Sequence, residues 1–269
     1  YLSGVKPLAV LSGSKGNQSS RSRLRNGLVV FQFAITTLLL IGTFTVYQQM
    51  QYIQQKNLGF NKEQLLLIDG AYGLGEQIDV YKAKMQQDPR VSHLATTSYL
   101  PTPSNRNRSG YFKGNSSGGL NVILQAWFVD ADFLPTMGFE LMEGRNFRAG
   151  DGQESREVIV NEETARQMDI TDDPIGKQLT RSFGTDENGQ PVFSTYTIVG
   201  VVRDFHFESL HDKIEPMVMH QGNSSRFVAM RVQAQEMQGL ISEARSLWEQ
   251  MAPHLPFNYT FLDERFAQM

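Results

Sequence analysis

The chain has 269 residues, a formal net charge of −3 and no Cys, which excludes disulfides, thiol catalysis and Cys-based metal sites. Residues 1–56 carry six basic and no acidic side chains, leaving 19 basic and 28 acidic in residues 57–269. That acidic balance excludes long-range attraction of nucleic acid to the larger part, and its size is enough for one large or two small domains.

From the N-terminus, Tyr1–Leu11 begins with no Met and no signal sequence. Ser12–Ser22 reads as a flexible, basic linker of the cytoplasmic kind. Residues 26–55 then contain no charged side chain, and the apolar run Leu28–Tyr47 has the roughly 20 residues that a helix needs to cross a hydrocarbon core. Lys6, Lys15, Arg21, Arg23 and Arg25 precede it, whereas Lys56 stands alone after it until Lys62. This asymmetry puts the N-terminus in the cytoplasm and everything beyond about residue 48 outside it. A signal peptide would have a shorter apolar core and a small-residue cleavage site, which Val46-Tyr47-Gln48-Gln49 lacks. A buried core helix is the remaining alternative, but such helices rarely go so long without a charge. Gln32, Thr36, Thr37, Thr43 and Thr45 make the span moderately polar, as in a helix that packs in a bundle. Good helix formers continue to Gln55, so a stalk is expected to run on and end at Gly59.

Gln64–Ile68 has strand length and is broken off by Gly70, Gly73 and Gly75. Glu76–Gln87 has helical periodicity, with Ile78, Val80, Tyr81 and Met85 near one face, and Asp88-Pro89 stops it. Val91–Leu100 is a second strand. The same order recurs at the far end. Arg226–Val232 is a strand, Glu236–Met251 an amphipathic helix with Leu240, Ile241, Ala244 and Trp248 on its apolar side, and Phe257–Leu262 a strand. Two β-α-β units around a long insert predict an α+β fold, a split βαβ subdomain of ferredoxin type interrupted by a β-rich one. In the insert, Pro101–Gly119 is rich in Ser, Asn, Gly and Arg and reads as a mobile loop. Asn121–Asp130, Glu157–Asn161 and Thr195–Arg203 read as strands, Asp132–Met137 as a helical turn, and Asp186–Pro191 as a hairpin-like turn. Asn161 is placed to cap a helix over Glu162–Met168. Phe261–Met269 starts a helix and stops, so the chain reads as a piece of a longer polytopic protein.

Candidate chemistry is thin. His206, Glu208, His211 and His220 lack the spacing that puts two ligands on one helical face, and they read as incidental surface residues. Asp130, Asp132, Glu140 and Glu143 have the residue types of an acid–base pair but read as a solvated strand-loop surface. Gly70–Gly75 is not a dinucleotide loop, and no phosphate-binding Gly-x-x-x-x-Gly-Lys pattern or Gly-x-Ser-x-Gly elbow is present. Arg106, Arg108 and Lys113, with Tyr111 and Phe112, form a basic loop suited to a partner or anionic lipid, or simply solvated. No catalytic, cofactor-binding or metal residue is therefore assigned, and no cofactor is expected.

Several strings in order resemble the MacB/FtsX-like ABC transporter permeases. They are Leu58-Gly-Phe60 after a Gln-rich helix, Met137-Gly-Phe-Glu-Leu-Met-Glu-Gly-Arg-Asn-Phe147, Val158–Arg166, Asp173-Pro-Ile-Gly-Lys-Gln-Leu179, Tyr196–Phe205 and Phe205–Pro216. The resemblance covers most of residues 24–266. It implies a cytoplasmic linker (1–26), a transmembrane helix and stalk (27–57), a porter-like subdomain in two parts (58–100 and 223–269) and an inserted β-rich subdomain (101–222). It also implies a bacterial inner-membrane protein with its larger part in the periplasm. The implied role is a non-catalytic permease, served by a separate cytoplasmic ABC ATPase and a second permease protomer. A periplasmic adaptor or substrate and membrane lipid are the other implied partners. A membrane-anchored extracytoplasmic sensor or binding scaffold is the competing reading.

Overall fold

The computed structural model describes residues 18–55, 64–102, 107–115, 118, 120–150, 155–205, 213–222, 226–233 and 236–267. The chain divides into two units, residues 1–56 and 57–269. In the first, helix α1 (Gln18–Gln55) runs for 38 residues. Its stretch Arg23–Gln49 has a mean hydropathy of 2.0 and is the one described helix long and apolar enough to cross a membrane. Side chains 23–49 are exposed on every side, so its apolar residues find no protein core of their own. The Thr36 and Thr45 hydroxyls donate to the carbonyls of Gln32 and Ile41 at 2.8 and 2.9 Å. Those bonds satisfy polar groups that lipid could not. The expected stop at Gly59 lies outside the described residues.

The second unit contains, in chain order, β1 (Leu65–Asp69), a 3-10 segment (Ala71–Gln77), α2 (Ile78–Met85), β2 (Val91–Thr97), β3 (Arg108–Lys113) and β4 (Asn121–Val129). Then come α3 (Phe133–Met137), β5 (Leu141–Gly144), β6 (Glu157–Asn161), α4 (Glu162–Gln167), β7 (Gln178–Thr185), β8 (Pro191–Val202) and β9 (Met217–Gln221). The last elements are β10 (Phe227–Val232), α5 (Met237–Met251), β11 (Asn258–Phe261) and α6 (Leu262–Ala267).

The outer parts of this unit form one antiparallel layer, in the order β11-β1-β10-β2. Along β1, Leu66 and Ile68 face one side and Leu65 and Leu67 the other, and all four are buried. A strand covered on both faces reads as an unbroken apolar run, which is why Leu65–Ile68 shows no alternation. On one face lie the 3-10 segment, α2 and α5, with Tyr81 edge-on to Trp248 at 5.9 Å and donating its hydroxyl to the Ala244 carbonyl.

The middle of the chain forms a ring. Strands β4-β3-β7-β8-β6-β9 pair in that order, and β9 returns to β4 in parallel. The two edges of β4 are both used: Ala126 N–H donates to Asn107 on the β3 side and Gln125 N–H to Pro216 on the β9 side. Six strands therefore close on themselves and leave no free edge between them. Tyr111, Leu124, Val158, Val160, Leu179, Ile198 and Val218 fill the interior, joined by Ala165, Met168 and Ile170 from α4 and the turn after it. Beyond β3, the same edge of β4 continues into the outer layer through Thr97 and Val129 of β2 and β4.

Several expectations are corrected. The segment 101–119 is not all loop: β3 lies within it, held between β4 and β7, with Tyr111 fully buried. Its flanking Arg108, Ser109 and Gly110 hide the strand from a hydropathy reading, because pairing on both edges rather than an apolar face holds it. Strands β5, β7 and β9 also appear where only turns or nothing were expected. Helix α2 begins at Ile78 rather than Glu76, after the 3-10 turn. Val80 is 49% exposed, while Ile78, Tyr81 and Met85 are buried.

Candidate functional site

Among the described residues, no group of three or more His, Asp or Glu is placed to hold a metal ion. One set of polar side chains that the fold fixes gathers at the junction between the outer layer and the ring. Its floor is apolar: Leu65, Leu67, Phe227 and Ala229 from the layer meet Trp127, Val129, Ile159, Met217 and Met219 from the ring, with α3 between them. Trp127 stands edge-on to Phe133 and Phe205, and Phe139 lies 4.4 Å from Phe205.

Polar bonds lock this contact at its margins. The Lys82 ammonium of α2 donates to the Asp130 carboxylate at the end of β4 at 2.5 Å. Thr96 of β2 donates to the same carboxylate from both its N–H, at 2.7 Å, and its hydroxyl, at 2.9 Å. Burial pushes the Asp130 pKa up, and Lys82 and Thr96 pull it back. The solvated surface expected for Asp130 is thus corrected: it ties α2, β2 and β4 together. Glu140, by contrast, pairs on the exposed surface with Arg203 at 2.9 Å. The Arg231 side chain of β10 donates to the Thr136 carbonyl of α3, and burial lowers its pKa.

On the ring side, Asn161 is a hub. Its side-chain oxygen accepts from Thr164 N–H, Thr164 hydroxyl and Met217 N–H, and its amide donates to the Glu215 carbonyl. The cap expected for α4 is present and also joins β9, which a reading by local spacing does not reveal. Asp204, just past β8, accepts from Glu163 N–H at 2.8 Å and pairs with Arg166, whose pKa rises mainly through that bond. Arg145 pairs with Glu157, its N–H donates to Val199, and Asn146 donates to the Ala131 carbonyl. The strings Gly144–Phe147, Val158–Arg166 and Tyr196–Phe205, far apart in sequence, are thus stitched to one another around β8.

The basic segment read as suited to a partner or anionic lipid, or as solvated, has described members that also bond within the fold while staying part-exposed. Arg108 pairs with Glu215, Lys113 donates to the Asp169 carbonyl at 2.7 Å, and Phe112 stands edge-on to Phe193. His206, Glu208, His211 and Arg106 lie outside the described residues. His220, read as a surface residue, is buried inside the ring on β9. Its Nε2 shares a 2.7 Å hydrogen bond with the Tyr111 hydroxyl, and it stacks on Phe128 and meets Tyr196 edge-on. Burial, helped by Arg181, pushes its pKa down to about 3. A base held below its unfolded pKa of about 6.5 contributes stability that is complete above that value and is lost as the pH falls from there toward 3. The expected result is that the unfolding free energy falls between pH 6.5 and 5 by up to about 1.4 kcal/mol per pH unit. The variant His220→Gln should show a flatter profile over the same range. Equal slopes for the two proteins would show that His220 already carries a proton in the fold.

The architecture is an α+β unit preceded in the chain by a long apolar helix. The chain belongs to the family of the MacB-like periplasmic core domain, whose family model matches residues 28–244. Among solved structures, it is similar to the periplasmic region of MacB from Actinobacillus actinomycetemcomitans, with a TM-score of 0.52 at 11% identity over 80% of this chain and 96% of that one. The extracellular domain of the noncanonic ABC-type transporter YknZ from Gram-positive bacteria scores 0.46 at 12% identity, over 68% of this chain and 87% of that one. A search among curated proteins finds no match.

Proposed function

We propose that this chain is a non-catalytic permease component of an ABC transporter, in which the periplasmic unit receives motion that a separate cytoplasmic ATPase generates. The observation that carries this reading is the extent of the family match, which starts at residue 28, inside the apolar helix, and runs through the folded unit to residue 244. Helix and folded unit are thus parts of one family pattern. The order β11-β1-β10-β2, with helices in the two connections, supports a split βαβ, porter-like subdomain at 58–100 and 223–269 around an inserted one at 101–222. The basic flank before the span supports a cytoplasmic N-terminus. The bacterial inner membrane is the proposed location, and a second protomer and a periplasmic adaptor or substrate are the proposed partners. The output is export, lipoprotein extraction or control of envelope enzymes.

The test is a break in helix α1 beyond its apolar stretch. A Gly-Gly or Pro pair at Gln54-Gln55 costs about 2 to 6 kcal/mol in helix propensity and leaves the span and the folded core unchanged. Membrane levels and nucleotide binding by the ATPase should persist, while transport or enzyme activation by the assembled system falls. Full activity of the broken variant at normal membrane levels would reject the coupling role and reduce the helix to a tether.

A further inference from the structure

One end of the six-stranded ring is filled by α4, and Lys113 reaches Asp169 there. The other end presents a different chemistry. Arg181 of β7 lies over two rings, 5.8 Å from the centre of Tyr111 and 4.6 Å from that of Phe183. Arg156, which precedes β6, lies 5.7 Å over Tyr196. The two tyrosines are joined through His220, which bonds one and packs edge-on against the other at 4.6 Å. Two guanidinium groups are therefore held by one aromatic cluster. No ion pair of either is found among the described residues, and the Arg181 Nε is buried with no acceptor there. A buried N–H of a cation without an acceptor is costly, so a shift of the Arg181 side chain that brings it to a ligand oxygen relieves that cost. Beside this end, Phe183 and Val192 are 52% and 43% exposed.

We propose that this end of the ring binds the phosphate group of an anionic amphiphile, with Arg156 and Arg181 on the oxygens and Phe183 and Val192 against the apolar body. Planar guanidinium forks match phosphate oxygens, and the aromatic rings beside them hold the two groups in place before the ligand arrives. The exposed apolar pair is surplus for a bare ion and suited to an attached chain or ring. The rest of the unit decides against an acidic protein surface: residues 57–269 carry 28 acidic and 19 basic side chains, so a broad negative partner is repelled while one compact anion is tolerated.

The experiment is titration calorimetry on the full chain in a neutral detergent, with dihexanoyl phosphatidic acid, inorganic phosphate and octaglutamate as separate probes. Saturable binding of the short-chain lipid is expected, weakened about tenfold or more by Arg156→Gln and by Arg181→Gln and unchanged by Lys84→Gln on α2. Inorganic phosphate should bind at least about tenfold more weakly than the lipid, and the same two substitutions should remove that binding. Arg156 is exposed, so its variant keeps the test decisive if Arg181→Gln disturbs the fold. Lipid binding that ignores Arg156→Gln overturns the proposal. So does inorganic phosphate binding as tightly as the lipid, because the apolar wall would then contribute nothing. Octaglutamate binding more tightly than either phosphate probe, and lost in the same variants, also overturns it in favour of an acidic protein segment.

Discussion

Trp248→Ala is expected to destabilise the folded unit by about 3 to 5 kcal/mol, the range for removing a large aromatic from a packed core. Trp248 of α5 is fully buried. Its ring meets Tyr81 and Phe257 edge-on, each at 5.9 Å, and its Nε1 donates to the Leu255 carbonyl at 3.3 Å. Leu66, Ile68, Val228 and Met230 belong to the same cluster, so the cavity would lie against the central strands of the outer layer, which cannot collapse into it without losing register. The Tyr81 hydroxyl, bonded to Ala244, would lose one wall of its packing. Urea unfolding of the detergent-solubilised chain, followed by near-ultraviolet circular dichroism, measures the loss. Val80→Ala on α2 is the comparison, and at a half-exposed site it should shift stability by less than about 0.5 kcal/mol. Equal effects of the two variants would mean that α5 does not pack on the sheet as described.

The second large effect is expected at Gly144, in the Gly-Arg-x-Phe string that carries the family resemblance. Its φ is 75°, a left-handed conformation that costs a residue with a Cβ roughly 1 to 2 kcal/mol. A Cβ here would also sit 2.2 Å from the Val199 carbonyl oxygen and 2.7 Å from Ile175 Cδ1. Its partner across the β5–β8 pair is Gly200, where a Cβ would stand 2.5 Å from the Arg145 carbonyl oxygen. Both backbones approach too closely for side chains, so neither can move aside for the other. Gly144→Ala should therefore cost about 2 to 5 kcal/mol, combining left-handed strain with overpacking against main chain. Gly176→Ala separates the two terms: its φ is 83° but nothing lies within 4 Å of the added carbon. It should cost only the conformational part, about 1 to 2 kcal/mol. Thermal melts of the two variants side by side give the comparison, and a Gly144→Ala loss no larger than that of Gly176→Ala would refute the close approach.

These glycines show how far the sequence could be read. The need for positive φ at Gly144 and Gly176 was legible from local composition. The collision at Gly144 was not, because Val199 comes to it from β8 and Ile175 from the turn before β7. The Asn161 cap was legible for the same local reason, since its partner Thr164 is three residues away. Its bonds to Met217 and Glu215 join segments more than fifty residues apart and leave no local signal. Tyr111 and His220 were missed as a pair because they lie on strands 109 residues apart, which no local pattern joins. Their burial follows from closure of the ring, which hydropathy within either strand does not encode.

The sequence by itself determined the apolar helix, the basic flank before it, the two β-α-β stretches and the family strings. Each is a local pattern of charge, hydropathy or turn residues, and local patterns survive without knowledge of what packs against them. Only the tertiary structure decided that the middle strands close into a ring, that Asp130 ties α2 to β2 and β4, and that Arg156 and Arg181 each lie over a tyrosine of one aromatic cluster. Those outcomes depend on strand pairing between residues distant in the chain. A polar strand such as β3 is stabilised by two neighbouring edges, and a buried charge such as Asp130 by donors from other elements, so their own sequences carry little trace of either.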